Sequence, residues 1–465
     1  MKATPFRPYK VLNLELSEGI PELLPDGRYQ GIFLVVWWHR IPLGALEILT
    51  QNLPLSPAQL TQRILPAITL PVGDRLLEHG FKASLPVTKA QLPQDFPPAY
   101  SALISLQSPL QKLSQQLEQI QIPPQSTVSV IVCTRDRPEQ LRHCLRSLQN
   151  LHHQPTEILV VDNAPSSHAT KNVVAQFPAV RYVLEPQPGL SIARNTGIQA
   201  AIGDLIAFTD DDVEVHPDWI FRLQQGFHDP RVMAVTGLML PAELDSEAQL
   251  IFHKGVGGPG WRYRALGFDS EFFEAMKPFG VPVWLVGAGA NMAFRREVFN
   301  KIGLFDERLG AGASGCSEDS ELWYRILAEG WHCRYEPAAV VFHHHRKELE
   351  HLQEQSFQYM RGHVTALLIQ FAKYHHWGNL RRLFVALPRY YSRLLWNALI
   401  KGFKGRNMTL ITEIFGCFSG IGFYFSKGIS IQRNLKEKTS QLETNPLNYS
   451  QAEQCKSAPK RSIRL

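Results

Sequence analysis

Three consecutive carboxylates, Asp210, Asp211 and Asp212, follow the apolar run 205–208. Adjacent negative charges near a wet surface repel one another by roughly 1 kcal/mol per pair, so this arrangement favours a bound positive charge. Mg²⁺ and Mn²⁺ prefer oxygen ligands and often link carboxylates to phosphates. The simpler alternative is an acidic turn that caps the next helix, because aspartate is common in turns and at helix N-termini.

A second acidic pair, Glu318 and Asp319, begins an amphipathic helix predicted over about 319–329. A carboxylate in such a pair can serve as a general base, although acidic residues are also common in the first turn of a helix. Ser317 is the predicted N-cap residue, with a capping-box partner three or four residues later. The histidine run 343–345 suggests a metal site, but alternate residues of a strand face opposite sides. One ligand, His343 or His345, is therefore expected.

The elements that must position these residues alternate between strands and helices. Strands are predicted at 128–132, 158–161, 180–184 and 205–208, and helices at 138–149, 169–176 and 191–201. This alternation predicts βαβ units and a parallel sheet, whose ligands bind beyond the carboxyl ends of the strands. Polar residues follow three of the four strands. Neither a G-x-G-x-x-G motif after the first strand nor a P-loop sequence is present, so a dinucleotide-binding domain and a P-loop NTPase are not indicated.

The charge of the chain is unevenly distributed. The formal net charge of the 465 residues is +6, yet the window 355–412 contains no acidic residue and nine lysines and arginines. Such a block favours an anionic partner, either nucleic acid or a membrane surface. Bulky apolar residues are mixed with the charges, which favours an anionic membrane surface and no nucleic acid. The apolar segment 408–425 is expected to lie on or dip into the membrane, with a buried helix pair as the alternative.

Composition and length predict several domains. We expect an N-terminal accessory domain of unknown role (1–122), an α/β domain that carries the candidate site residues (127–350), a basic, helical, membrane-associated region (351–431) and a disordered tail (432–465). The six cysteines show no C-x-x-C spacing, which favours reduced thiols in a cytoplasmic protein. The first residues lack the apolar stretch of a secretory signal.

Five motifs occur in an order that resembles the inverting family 2 glycosyltransferases of GT-A type. They are V-S-V-I-V-C-T-R-D (128–136), V-V-D-N (160–163), P-G-L-S-I-A-R-N-T-G (188–197), G-D followed by D-D-D (203–212), and the later E-D pair (318–319). The resemblance covers about residues 127–346. It implies an α/β fold of the GT-A nucleotide-diphospho-sugar transferase class, with a mostly parallel sheet flanked by helices, an N-terminal extra domain and a C-terminal helical region.

The resemblance also implies a nucleotide-diphospho-sugar donor and a Mn²⁺ or Mg²⁺ ion. Its implied base-binding residues are Thr134, Arg135 and Asp162, of which Asp162 would accept a hydrogen bond from a base N–H. For Asp162 a turn after the strand is the alternative. Arg194 and Asn195 would line the nucleotide pocket, with Arg194 near the diphosphate, unless Arg194 is an ordinary surface charge.

The acidic residues receive the remaining implied roles. Asp210 would face the ribose and the metal, Asp211 would belong to the nucleotide-sugar site, and Asp212 would bind the metal, with His343 as a third metal contact. Asp319 is the candidate catalytic base, with Glu318 beside it.

The function that follows is transfer of a sugar, with inversion, to the hydroxyl of a glycan or lipid-linked acceptor. The chain lacks the Q-x-x-R-W signature of processive synthases, so transfer of a single sugar is expected. The expected location is cytoplasmic and peripheral, on the inner face of the cytoplasmic membrane, with one spanning or re-entrant segment near 408–425 left open. The alternative is a non-catalytic protein of the same fold that binds nucleotide sugars.

Overall fold

The computed structural model describes residues 6–76, 108–119, 126–255 and 263–428. The predicted disordered tail and part of the region 1–122 lie outside these ranges.

An N-terminal sheet contains β1 (Tyr9–Glu15), β2 (Gly31–Trp38) and β3 (Ile41–Leu49). It is covered by α1 (Pro57–Leu76) and α2 (Pro109–Gln119). Successive side chains of a strand point to opposite faces, and β2 is buried on both. Leu34 and Val36 pack in the same cluster as α1, whereas Val35 and Trp37 join the core of the larger sheet. The small sheet is therefore packed directly on the domain that follows.

That domain begins with four parallel strands, β4 (Val128–Thr134), β5 (Glu157–Asn163), β6 (Val180–Glu185) and β7 (Leu205–Asp210). They alternate with α3 (Pro138–Gln149), α4 (Ala169–Val174) and α5 (Leu190–Ala200). The predicted βαβ organisation is confirmed. The last strand continues two residues beyond its predicted end, because Thr209 and Asp210 pair with Val132 and Cys133 of β4.

The second half of the sheet is mixed. It consists of β8 (Val213–Val215), β9 (Val232–Pro241), β10 (Leu266–Phe268), β11 (Asn291–Arg295) and β12 (His332–His343). The order is β10-β12-β9-β11-β7-β4-β5-β6, with β8 paired to β12. The helices of this half are α6 (Trp219–Gln225), α7 (Glu247–Gly255), α8 (Ser270–Met276), α9 (Glu297–Ile302) and α10 (Glu318–Ala328). The result is the predicted α/β architecture.

Ser317 corrects one local prediction. It precedes α10 as expected, but its backbone has φ +72° and its side chain makes no capping hydrogen bond. The hydroxyl instead lies 3.2 Å from the Cys316 sulfur. The predicted capping box is therefore wrong, because a left-handed turn aims the side chain away from the first amides of the helix.

Helices form the C-terminal part: α11 (Leu349–Tyr374), α12 (Trp377–Arg381), α13 (Leu387–Lys401) and α14 (Leu410–Phe423). A π-helical turn, Arg382–Ala386, joins α12 to α13. The segment Gly405–Ser426 is long and apolar enough to cross a membrane by length and composition, which alone is weak evidence, and 28% of it is buried. Gly420 of α14 lies against α11, where an added Cβ would come 2.6 Å from the Arg361 carbonyl oxygen.

Candidate active site

Three strand ends meet at one edge of the sheet. Thr134 pairs with Asp162 across β4 and β5, and Cys133 pairs with Asp210 across β4 and β7. The predicted meeting of polar residues from three separated motifs is therefore a consequence of strand register.

The Asp211 side chain points inward from the turn after β7. It is buried and accepts hydrogen bonds from the Thr134 hydroxyl at 2.6 Å and from Arg137 Nη1 at 3.1 Å. Burial, together with the nearby charge of Asp212, raises the pKa of Asp211 to about 7. We infer that Asp211 holds the turn in place, because one of its carboxylate oxygens accepts a hydrogen bond from Thr134 and the other accepts one from Arg137.

Asp212 is more accessible and lies between two nitrogen groups. Its Oδ2 is 3.2 Å from Arg137 Nη1, and its Oδ1 is 3.4 Å from His343 Nε2. His343 reaches this place because it pairs with Val213 across β12 and β8. His343 and Asp212, two of the three residues for which the resemblance implied a metal contact, thus lie next to each other.

Arg137 is a site residue that the sequence reasoning missed. It lies at the start of α3 and contacts Asp211 and Asp212, whereas Arg135 in the same segment is exposed. The available signal was the position of Arg137 directly beyond the first strand, where ligand-facing residues of such sheets are found.

The histidine run alternates as strand geometry requires. His343 Nδ1 lies 2.7 Å from His345 Nδ1, while His344 Nε2 lies 2.9 Å from Glu214 Oε1. Among the residues that the structure describes, no three His, Cys, Asp or Glu side chains are arranged to hold a metal ion. Any cation at Asp212 would therefore need ligands from outside the protein, such as phosphate oxygens.

Arg194 connects the turn 210–212, which we call the aspartate turn, to the second acidic motif, Glu318 and Asp319. Its side chain is 2% exposed, with Nη1 at 2.6 Å from Glu318 Oε1 and Nη2 at 3.4 Å from Asp210 Oδ1. The rings of Phe208 and Phe305 lie against the guanidinium. Arg194 is therefore a buried bridge, and the alternative of an ordinary surface charge is wrong.

The two carboxylates at the start of α10 have different surroundings. Glu318 is buried, and burial, with the adjacent Asp319 charge acting in the same direction, raises the pKa of Glu318 to about 7, while Arg194 lowers it. Asp319 is partly exposed, and its Oδ1 accepts a hydrogen bond from the Ser320 amide at 2.6 Å. Asp319 is thus the more exposed carboxylate of the pair.

Gly289 shows how close Asp319 and Arg194 are. A Cβ atom at this position would lie 3.0 Å from Asp319 Oδ2 and 3.1 Å from Arg194 Nη2. Asp319 therefore lies close to Arg194, which in turn contacts Asp210.

Asp162 is fully buried at the end of β5. Its Oδ2 accepts a hydrogen bond from the Tyr182 hydroxyl at 2.9 Å, whereas its Oδ1 has no hydrogen-bond partner within the described residues. Burial raises the pKa of Asp162. The next residue, Asn163, ties the end of β5 to the loop before α5, because its side chain accepts from the Gly189 amide and donates to the Gln187 carbonyl. An unpartnered buried acceptor at Asp162 fits a ligand N–H group.

Asn195 has a different environment from the one implied. Its Nδ2 donates to the Phe305 carbonyl and its Oδ1 accepts from the Phe305 amide, both at 3.0 Å. Nδ2 also lies 3.3 Å from Glu307 Oε1. The Asn195 amide therefore fastens the loop after α9 to α5. We assign Asn195 to this structural contact, which we call the clamp, instead of the nucleotide pocket.

Replacing Asn195 with alanine should lower the free energy of unfolding by roughly 2–3 kcal/mol, because two buried backbone groups of Phe305 lose their partner. Urea denaturation measures the loss. Donor affinity should change by less than about fivefold, the equivalent of one hydrogen bond of about 1 kcal/mol, because Asn195 itself does not contact the donor in this assignment. Unchanged stability with a large loss of donor affinity would contradict the clamp and restore the pocket assignment.

Residues 129–303 match the family model described as "Glycosyl transferase family 2". These residues form a family 2 glycosyltransferase domain. The match begins in β4, includes the Asp162, Arg194 and Asp210–Asp212 segments, and ends before Glu318 and Asp319.

Named relatives agree with this domain. The chain is 28% identical over 231 residues to the pre-mycofactocin glycosyltransferase of Mycobacterium tuberculosis, covering 49% of this chain and 44% of that protein. It is 30% identical over 226 residues to the succinoglycan biosynthesis protein ExoM of Rhizobium meliloti, covering 46% and 65%. The chain thus spans about half the length of the first relatives that it matches.

Among solved structures, the chain is similar to the mannosyltransferase PcManGT from Pyrobaculum calidifontis, determined in complex with GDP-Man and Mn²⁺. The TM-score is 0.44 and the sequence identity 16%, over 66% of this chain and 92% of that one.

Proposed function

We propose that the chain is a metal-dependent inverting glycosyltransferase. It moves a single sugar from a nucleotide-diphosphate sugar to a hydroxyl of a glycan or lipid-linked acceptor. The observation that carries this proposal is the buried Arg194 bridge, which brings Asp210 of the aspartate turn and the Glu318–Asp319 pair to one space. The family 2 domain supplies the reaction class.

The residues proposed to bind the nucleotide-sugar donor are the polar groups at the strand ends. The free Oδ1 of Asp162 suits a base N–H, and the exposed Arg135 lies on the adjoining segment. Asp210 would face the ribose and the metal. The carboxylate of Asp212 and the imidazole of His343 suit Mn²⁺ or Mg²⁺, whose other ligands would be diphosphate oxygens. When bound, the cation stabilises the charge of the departing nucleoside diphosphate.

The acceptor end is assigned to Asp319. Its accessible carboxylate takes the proton of the acceptor hydroxyl as that oxygen bonds to the anomeric carbon. The bond from the anomeric carbon to the diphosphate oxygen breaks at the same time, and its electron pair leaves with the nucleoside diphosphate. Attack from the face opposite the leaving group inverts the configuration. Glu318 and Arg194 keep the start of α10 against the aspartate turn.

A non-catalytic nucleotide-sugar-binding protein is the second candidate. Binding alone needs Asp162 and the aspartate turn, and gives no role to an accessible Asp319. The position of Asp319 beside Arg194 therefore favours catalysis over binding alone.

A screen of sugar nucleotides tests the proposed activity on the full chain. We expect Mn²⁺-dependent release of nucleoside diphosphate from one class of donor, and loss of that release in a chelator. Each donor is tested separately and the released nucleoside diphosphate is measured by chromatography, so the donors that react identify the base and the sugar. Donor binding without release, with acceptor mixtures present, would favour the binding protein instead.

We also propose that the C-terminal helices attach the enzyme to the inner face of the cytoplasmic membrane. Large apolar side chains are exposed along α12, the π-helical turn, α13 and α14, among them Trp377, Phe384, Trp396, Leu399, Ile400, Phe415 and Phe418. Exposed cations such as Arg389 and Arg393 lie among them. The acidic residue of α14, Glu413, is buried and paired with Arg406. This mixture of bare apolar surface and positive charge is complementary to an anionic bilayer.

Vesicle flotation tests this attachment. Replacing Trp396 and Leu399 together with serine should reduce flotation on anionic vesicles by roughly tenfold or more, because each buried apolar side chain contributes about 1.5–3 kcal/mol. The matched control changes Leu24 and Leu65, which are equally exposed in the N-terminal part, and should float like the wild type. A wild type that fails to float on anionic vesicles would remove the proposal, as would binding to nucleic acid in a gel shift at equal salt.

A further inference from the structure

Three side chains from separate elements form what we call the Trp284 cluster, consisting of Trp284, His363 and Arg382. The Arg382 guanidinium stacks over the Trp284 indole, 3.9 Å from the ring centroid, and Arg382 Nε donates to His363 Nε2 at 3.1 Å. The Trp284 and His363 rings meet edge to face with their centroids 5.5 Å apart. The Trp284 side chain is 40% exposed, so one part of this platform faces solvent.

The Trp284 cluster is connected to the transfer site on two sides. Trp284 lies five residues before Gly289, the residue that adjoins Asp319 and Arg194. On the other side, the backbone of Gly362 is so close to the loop before α10 that a Cβ atom would lie 2.5 Å from the Cys316 carbonyl oxygen. The Trp284 cluster is thus built on the segments that lead directly into the proposed catalytic residues.

The charge of the Trp284 cluster is not compensated. Burial, helped by the Arg382 charge, lowers the pKa of His363 to about 3, so the imidazole is neutral and accepts the hydrogen bond. Burial also lowers the pKa of Arg382 to about 10. In the part of the chain that the structure describes, Arg382 forms no ion pair with a carboxylate. A partly desolvated guanidinium with free N–H groups is a strong binding site for a phosphate, whose oxygens accept hydrogen bonds from its planar donors.

The backbone and surface next to Arg382 also have features of a binding site. Arg382 begins the π-helical turn between α12 and α13, and such turns occur often at functional sites. Arg381 stacks on Phe279 with 4.5 Å between guanidinium and ring centroid. Trp377 and Phe384, on either side of this arginine pair, are 73% and 61% exposed. Positive charge and exposed apolar surface therefore lie next to each other around Arg382.

We propose that the Trp284 cluster binds the phosphate of an acceptor in which the sugar is joined through phosphate to an apolar chain. Arg382 holds the phosphate, Trp284 supports the sugar ring that follows it, and Trp377 and Phe384 contact the apolar chain. This assignment rests on the proposed function and selects the lipid-linked class of acceptor. It gives the C-terminal helices a part in acceptor recognition in addition to membrane attachment.

Calorimetric titration of the full chain with farnesyl monophosphate tests the assignment. A chelator is present throughout, so that metal-dependent binding at the donor site does not contribute. Wild-type protein should bind farnesyl monophosphate at least about tenfold more tightly than farnesol or inorganic phosphate, since both the charge and the chain are recognised. Arg382→Gln should weaken binding by about tenfold, and the exposed Arg381→Gln, which leaves the fold intact, by a smaller factor.

Arg63→Gln is the charge-matched control, because Arg63 is exposed on α1 far from the Trp284 cluster along the chain. It should bind farnesyl monophosphate like the wild type. Equal affinity for inorganic phosphate and farnesyl monophosphate, or unchanged affinity in both arginine variants, would overturn the assignment. Donor binding by the same wild-type protein separates the two proposals. If the wild-type protein binds a donor but not farnesyl monophosphate, only the role assigned to the Trp284 cluster is refuted. If it binds no sugar nucleotide, the proposed function is refuted.

Discussion

Asp319→Asn is expected to lower the rate of sugar transfer by about 10²–10⁴, the usual contribution of a general base. The change removes a proton acceptor and keeps the size of the side chain and the oxygen that accepts from the Ser320 amide. Because Asp319 lies outside the Asp212–His343 pair, donor affinity should stay within about threefold of the wild-type value, less than the loss of one hydrogen bond. Turnover and donor affinity are measured separately, with the donor found in the screen.

Glu329→Gln is the control for this experiment. Glu329 lies directly after the same helix and is exposed, so its loss changes the charge of α10 without touching the site. Its transfer rate should equal that of the wild type. Transfer by Asp319→Asn at more than a tenth of the wild-type rate would mean that another group takes the proton, with Glu318 the first candidate because its pKa is raised to about 7.

Asp212→Asn is expected to remove the metal-dependent part of donor binding. A bound divalent cation contributes several kcal/mol of charge stabilisation, so the loss corresponds to a factor of about 10² or more. The asparagine keeps the volume of the side chain but loses the charge that faces His343 and Arg137. Donor binding is titrated with and without Mn²⁺ in both proteins, and the difference between the two titrations reports the metal.

The matched control for Asp212 is Asp204→Asn. Asp204 is an aspartate of the turn before β7, where its Oδ2 accepts from the amide and hydroxyl of Thr127. Asparagine can accept the same hydrogen bonds, so Mn²⁺-dependent binding should be unchanged. If Asp212→Asn and Asp204→Asn respond to Mn²⁺ alike, Asp212 is not a metal ligand.

The parallel half of the sheet was predictable because its information is local. Short β-branched runs alternate with amphipathic segments, and such periodicity is sufficient to place β4 to β7 and the polar residues beyond them. The mixed half of the sheet was harder to predict, because no local pattern near Asn291 indicates that β11 runs antiparallel to both of its neighbours.

The site itself depends on contacts between distant residues. The family pattern named Arg194, Asn195 and Glu318, but the sequence does not show that Arg194 pairs with Glu318 whereas Asn195 turns toward Phe305. These two neighbours on α5 point in different directions because successive helical residues are about 100° apart. Arg137 was missed for a related reason: only the folded turn brings Asp211 and Asp212 to it.

The Arg194 bridge limits how the enzyme can be divided. A truncated polypeptide ending at residue 303 would contain the whole matched family segment and lack Glu318. It would also lack Phe305, which lies against Arg194, and β12, which pairs with β9 inside the sheet. The smallest autonomous unit of this protein therefore extends past the recognisable family segment, at least through α10.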